Sequence, residues 1–289
     1  MSAPVVAGAV AIILAIVKFI VGITSGSLAV LSSAIDSMLD CLVSALNYFA
    51  LKKSNANPND KFNFGYGKVE ALVALFEGAF IVGIAVFICY SSVQKLLNGA
   101  KSVETTSAML VMVISMVLTG LLVLYLRMVY KKTGNLIIKA DALHYKTDLL
   151  TNLAIFIALF VIWITGYDVV DAIFGIVVSI YIAFSAFGLL KDGVYILLDG
   201  ALPSDIVRAI IDILNSKEDV KSYHYLKTRK SGEKSFFSVH LVFDPNISLS
   251  KAHKVADDIE SDIKSKFSTQ KWVFDTHFDI EDDRDKEEI

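Results

Sequence analysis

Cysteine is almost missing from this chain: among 289 residues it occurs only at Cys41 and Cys89, both inside apolar runs. That excludes a disulfide framework and a thiolate metal site, and leaves both as small core residues. A basic excess is missing too, since 27 Lys and Arg face 30 Asp and Glu, and the chain closes on EDDRDKEEI. A nucleic-acid surface needs a basic face, so no nucleic-acid partner is expected. The opening MSAPVVAGAVAIILAIV lacks a basic leader, and Lys18 interrupts the first apolar run. No cleavable signal peptide is expected, and the first helix should stay in the membrane.

Apolar residues, by contrast, are abundant: 55% of the chain is hydrophobic, with a mean hydropathy of +0.59. This exceeds what an ordinary soluble domain of this length carries. Windows of about twenty apolar residues place six spans near residues 5–24, 28–51, 70–92, 107–130, 144–165 and 169–190. Lysines cluster after the second span (Lys52, Lys53, Lys61, Lys68) and after the fourth (Lys131, Lys132, Lys139). The positive-inside rule then puts both termini in the cytoplasm. The expected division is a six-helix membrane domain over 1–199 and a soluble domain over 200–289. In the latter, DIVRAIIDILNS reads as a helix capped by Ser204, and KSYHYLKTR and SFFSVHLVF as a hairpin around KSGEK. SLSKAHKVADDIESDIKSKF then reads as an amphipathic helix and WVFDTHFDI as a last strand. That αββαβ order fits a small α+β domain of the ferredoxin-like kind.

The second span contains AIDSMLD, placing Asp36 and Asp40 one helical turn apart; the fifth opens with ADALHYKTD, placing His144 and Asp148 likewise. A carboxylate in the middle of a spanning helix costs roughly 2.5–3.5 kcal/mol on the insertion scale, so such groups face an interior and share an occupant. Three carboxylates and one imidazole make a tetrahedral set suited to zinc, with cadmium and iron(II) compatible. Crowded acids cannot all ionise cheaply, so an empty cluster holds protons that an arriving cation expels. A cluster opening alternately to each side would exchange metal for protons. Lys18, Asn47, Glu77, Asn152 and Asp171 are further polar residues within the spans; Glu77 suits a proton relay or a lumen-facing polar role equally.

Taken together, AIDSMLD, ADALHYKTD, six spans and an αββαβ domain resemble the cation diffusion facilitator family, in particular its bacterial zinc and ferrous-iron efflux branch. The resemblance covers essentially the whole chain. It implies that Asp36, Asp40, His144 and Asp148 form the transport site, that the protein is a homodimer of the bacterial inner membrane, and that metal leaves the cytoplasm as protons enter. It implies that Lys68 in FGYGKVEA and Asp199 in YILLDGAL are interlocking charges at the dimer contact. It also implies a cytoplasmic zinc cluster from His224, His240, His253, His277 and Asp279, the aspartate bridging two ions. The chain departs from the pattern in PNDKFNFGYGKVEA, where the branch's loop metal ligands are replaced by Asn59, Phe62 and Tyr66. That loop site is expected to be absent, and there is no His-rich loop.

Two other function classes could also use intramembrane carboxylates. An intramembrane aspartyl protease would use Asp36 or Asp40 with Asp148, but the chain has no GxGD element and that chemistry gives His144 no role. A divalent-cation channel would avoid so deep a tetrahedral site, because release from it is slow; a metal sensor that binds without coupled transport is its companion alternative.

Overall fold

The computed structural model describes residues 2–25, 28–98, 106–165 and 169–282; the side chains of Asp36 and Asp171 lie outside the described residues. Six long helices come first: α1 (Ser2–Ser25), α2 (Leu28–Ser54), α3 (Val69–Asn98), α4 (Thr106–Thr133), α5 (Leu136–Thr165) and α6 (Val169–Leu197). Among the described residues, four stretches are long and apolar enough to cross a membrane: Ala3–Val21, Val69–Gln94, Val113–Thr133 and Ala172–Leu197. The two remaining helices, α2 and α5, carry the acidic pairs and run 27 and 30 residues, which at 1.5 Å per residue is long enough to span.

α5 begins at Leu136, a good two turns before the apolar run suggests. Gly134, at φ 61°, ends α4 in the left-handed conformation and its N–H reaches Tyr130 O at 2.8 Å. Asn135 then restarts the chain, its Oδ1 accepting from the N–H of Ile137 at 2.9 Å and of Ile138 at 3.3 Å. The segment carrying Lys139 and Asp141 is therefore helical and in phase with His144.

Small residues let the helices approach. Ala3 and Ala7 of α1 pack with Leu122, Val123 and Leu126 of α4 and Ile138, Ala142 and Tyr145 of α5. Ile81 and Ala85 of α3 meet Ile182 and Ala186 of α6. Large apolar side chains remain exposed on the outside, among them Phe76, Phe87 and Phe184, as a lipid-facing surface requires. Close contacts group residues 1–57 and 69–194 as one compact unit and residues 58–68 and 195–289 as another.

The second unit holds α7 (Ser204–Asn215), β1 (Ser222–Ser231), β2 (Lys234–Val242), α8 (Leu249–Lys266) and β3 (Lys271–Asp279), in the expected αββαβ order. Ser204 does not cap α7: Pro203 is the capping residue and no side-chain cap bond forms, because the proline's fixed φ already sets the entry. Ser248 does cap α8, accepting from the Lys251 N–H at 3.2 Å. β2 is the central strand, antiparallel to β1 and parallel to β3. Alternation along β2 points Phe237, Val239 and Leu241 into a core with Ile210 and Leu214 of α7 and Val255, Ile259 and Ile263 of α8. The intervening residues, His240 among them, face the other way.

Candidate metal sites

Two groups of ligating side chains converge among the described residues: Asp40, His144 and Asp148 in one, and His224, His240 and Asp279 in the other, with the ligand atoms of each within 4.8 Å of one another. In the first, His144 Nε2 lies 3.1 Å from Asp40 Oδ1 and 3.8 Å from Asp148 Oδ2. Two carboxylates on different helices thus address one imidazole nitrogen, the atom a cation would take. His144 is buried, whereas the Asp148 side chain keeps 34% of its surface exposed, leaving the cluster open on one side. Asp36 stands a turn before Asp40 on α2, but its side chain lies outside the described residues.

Lys146 does not neutralise this cluster. Two residues beyond His144 puts it on another face of α5, where its Nζ donates to Tyr181 OH at 2.5 Å and lies 4.8 Å from that ring's centre. Tyr145 likewise turns away, sharing a 2.9 Å hydrogen bond with Ser44. Lys18 donates to Ser37 at 2.9 Å, linking α1 to α2. One buried acid went unread in the sequence: Asp141, 1% exposed. Its spacing carried the signal, since Asp141, His144 and Asp148 fall at i, i+3 and i+7 of one helical stripe.

The second cluster is built by strand register. His224 pairs with His240 across β1 and β2, and His240 with His277 across β2 and β3, so three imidazoles form a row on the open face of the sheet. Asp279, two residues beyond His277, gathers them: Oδ2 is 3.0 Å from His240 Nδ1 and 3.3 Å from His224 Nε2, while Oδ1 is 3.1 Å from His277 Nε2. A bulge between His224 and Lys227, with Tyr225 at φ 50°, ends the regular pairing beside His224. Nitrogens from two buried or half-buried imidazoles and a carboxylate oxygen between them form a donor set that fits zinc. Asp282, unread in the sequence, stands on the far side of His224, 3.6 Å from Nδ1, where a carboxylate orients a ligating imidazole. His253 is not brought to this cluster: it lies on α8, 70% exposed, 3.6 Å from Asp257 one turn along the same helix.

Lys68 and Asp199 meet within one chain, Nζ to Oδ1 at 3.0 Å, and Arg229 joins the same oxygen at 3.0 Å. Burial would push the Asp199 carboxyl up, but hydrogen bonds and charges from Lys68 and Arg229 outweigh it and hold it below the usual carboxylate range. The Arg229 guanidinium also lies against both Phe64 and Phe236, 5.1 and 4.4 Å from their ring centres, while the two rings meet edge to face. Gly67 lets this loop lie flat on β1, since a Cβ there would stand 2.6 Å from the Ser231 carbonyl. The three loop positions that depart from the branch's ligands are in mutual contact: Asn59 Nδ2 donates to Tyr66 OH at 2.8 Å, and the Phe62 and Tyr66 ring centres lie 4.9 Å apart.

Comparison with known proteins agrees along the chain. Residues 5–198 match the cation efflux transmembrane domain, and residues 202–274 the cytoplasmic domain of cation efflux proteins. Protein p34 of Rickettsia prowazekii is 39% identical over 258 residues, 89% of this chain and 85% of its own. The cation-efflux pump FieF of Serratia proteamaculans is 36% identical over 266 residues, 92% of this chain and 88% of its own. FieF of Escherichia fergusonii is 35% identical over 265 residues, again 92% and 88%. A multi-pass helical membrane domain, a cytoplasmic domain with a small sheet, and matches across both place the chain in the cation diffusion facilitator family of cation efflux transporters.

Proposed function

We propose that this protein exports a divalent metal ion from the cytoplasm in exchange for protons, with zinc as the first substrate and iron(II) and cadmium as alternatives. The observation that supports it most directly is His144 Nε2 set between Asp40 of α2 and Asp148 of α5, at 3.1 and 3.8 Å. With Asp36 as the fourth ligand, the cation is held tetrahedrally between two helices, and a relative displacement of α2 and α5 releases it. Metal ligands must be deprotonated, so an arriving ion expels the protons these groups hold, and departing metal lets protons return from the other side. One imidazole among carboxylates favours zinc, cadmium and iron(II) over calcium or magnesium. In this reading six helices span the inner membrane, both termini are cytoplasmic, and residues 1–199 carry transport.

Residues 200–289 act as the regulatory and dimerising part. Zinc held by His224, His240, His277 and Asp279 would tie β1, β2 and β3 at one point, and His253 is kept as a ligand candidate that a second protomer could approach. Lys68 and Asp199 brace the chain where the homodimer meets. The deciding experiment is zinc-dependent proton movement in proteoliposomes, with the unaltered protein beside Asp40→Ala and His144→Asp. The expected result is loss of both fluxes in the first variant and an altered metal preference in the second. Zinc flux indifferent to an imposed pH gradient would rule out the antiport.

A further inference from the structure

Next to the ligands described, α2, α3 and α5 bury a second group of oxygens. Asn47 and Asp141 are each 1% exposed and Glu77 is 7% exposed. Neither oxygen of Asp141, neither polar atom of Asn47, and not Oε2 of Glu77 completes a hydrogen bond among the described residues. The three are nonetheless neighbours: the Asn47 amide acts on both carboxylates, Glu77 feels the charge of Asp141, and His144 acts on both. Nearby lysines are engaged elsewhere, Lys139 with Asp192 and Lys146 with Tyr181. Two buried carboxylates that share a single imidazole, His144, as countercharge are costly to ionise together, so the pair favours a further positively charged occupant.

Position on the helices says where that occupant would lie. Asn47 is seven residues beyond Asp40 on α2, and Asp141 is three residues before His144 on α5, so each shares a stripe with a ligand. Both displacements lead the same way in the bundle, toward the end where α2 finishes and where α3, with Glu77 in its third turn, begins. The separation along the axes is roughly 5–10 Å.

We propose that Asn47, Glu77 and Asp141 form a second cation station, supplied by oxygen alone, through which a divalent ion passes on its way to or from the His144 cluster. Two carboxylates and an amide carbonyl offer neither nitrogen nor sulfur, so the station takes harder ions and keeps part of their water. Such a site binds loosely and hands its ion on to the imidazole-containing cluster. The inference goes beyond the transport reading, since it concerns where a cation rests and holds whether or not protons are exchanged.

The test is Mn2+ binding to the full chain in detergent micelles, measured by equilibrium dialysis with metal analysis. Asp141→Asn and Glu77→Gln, which preserve side-chain shape, should each lose one Mn2+ equivalent relative to the unaltered protein. Asp40→Asn should retain that equivalent; if the His144 cluster has been misread, Asp40→Asn changes nothing at all while Asp141→Asn still loses its ion. Full stoichiometry in both Asp141→Asn and Glu77→Gln, at unchanged melting temperature, would overturn the proposal and leave protonated packing groups. Asn47→Asp is the gain-of-affinity arm, because it replaces the amide nitrogen with a third carboxylate oxygen at nearly the same shape. It should tighten Mn2+ binding by about tenfold, and unchanged affinity there would equally overturn the station.

Discussion

The two ligand clusters draw on different periodicities. Near the middle of the helical unit, His144 and Asp148 meet Asp40 because a helix returns to the same face every turn. In the soluble unit, His224, His240 and His277 meet because three strands are paired in register. A helix pair can slide or tilt without breaking a backbone hydrogen bond between its members, whereas a sheet row is locked by its ladder. The first arrangement suits an ion that must leave, and the second suits an ion that stays.

Removing one ligand from each cluster gives the strongest attack on that contrast. Asp148→Ala should lower zinc flux in proteoliposomes by on the order of 100-fold, while Asp279→Ala should reduce retained zinc and slow flux by less than about tenfold. If Asp279→Ala abolished flux and Asp148→Ala spared it, the roles assigned to the two clusters would be reversed.

The sheet row depends on the core beneath it. Phe237 is 1% exposed and sits at the centre of the soluble unit's core, on the face of β2 opposite His240. Phe237→Ala should destabilise that unit by about 3–5 kcal/mol, read as the denaturant midpoint by pulse proteolysis, and zinc retention should fall with it. A full core loss without any loss of retained zinc would show that the histidines do not need the ladder.

How each cluster could be read from sequence follows from the same difference. Helical spacing is local, so Asp36, Asp40, His144 and Asp148 stood out, and Asp141 could have been added from its place on the same stripe. Register is not local. The hairpin could be read, but the parallel pairing that sets His277 opposite His240 depends on how α8 crosses over, which no short spacing encodes. Asp282 was passed over for a similar reason, being one acid in an acidic tail until the fold set it beside His224. The helical start at Leu136 was hidden because an Asn cap and a left-handed glycine, not apolarity, decide where α5 begins.

A smaller contrast lies within the soluble cluster. His277 touches Asp279 at 3.1 Å, whereas His253 pairs only with its helix neighbour Asp257 in the geometry of one chain. His277→Ala should weaken zinc retention by about tenfold or more, and His253→Ala should leave a single-chain cluster unchanged in a competition titration with a zinc chelator. Equal losses from both would mean that a second protomer brings His253 to the metal.

The smallest effect separates the loop bracket from both clusters. Asp199 is held below the usual carboxylate range by Lys68 and Arg229, and a group depressed by folding contributes stability above its unfolded pKa and loses it as pH falls through the folded one. The contribution should therefore be complete above about pH 5 and fade in acid below the ordinary aspartate value. Because the Asp199 side chain is 44% exposed, solvent screening keeps it within about 1 kcal/mol. Asp199→Asn should remove that acid-side slope from the melting temperature while leaving zinc retention untouched. If zinc retention fell with the slope, the bracket and the sheet row would have to be treated as one device, and metal in the soluble unit would be felt directly at the loop joining α2 to α3.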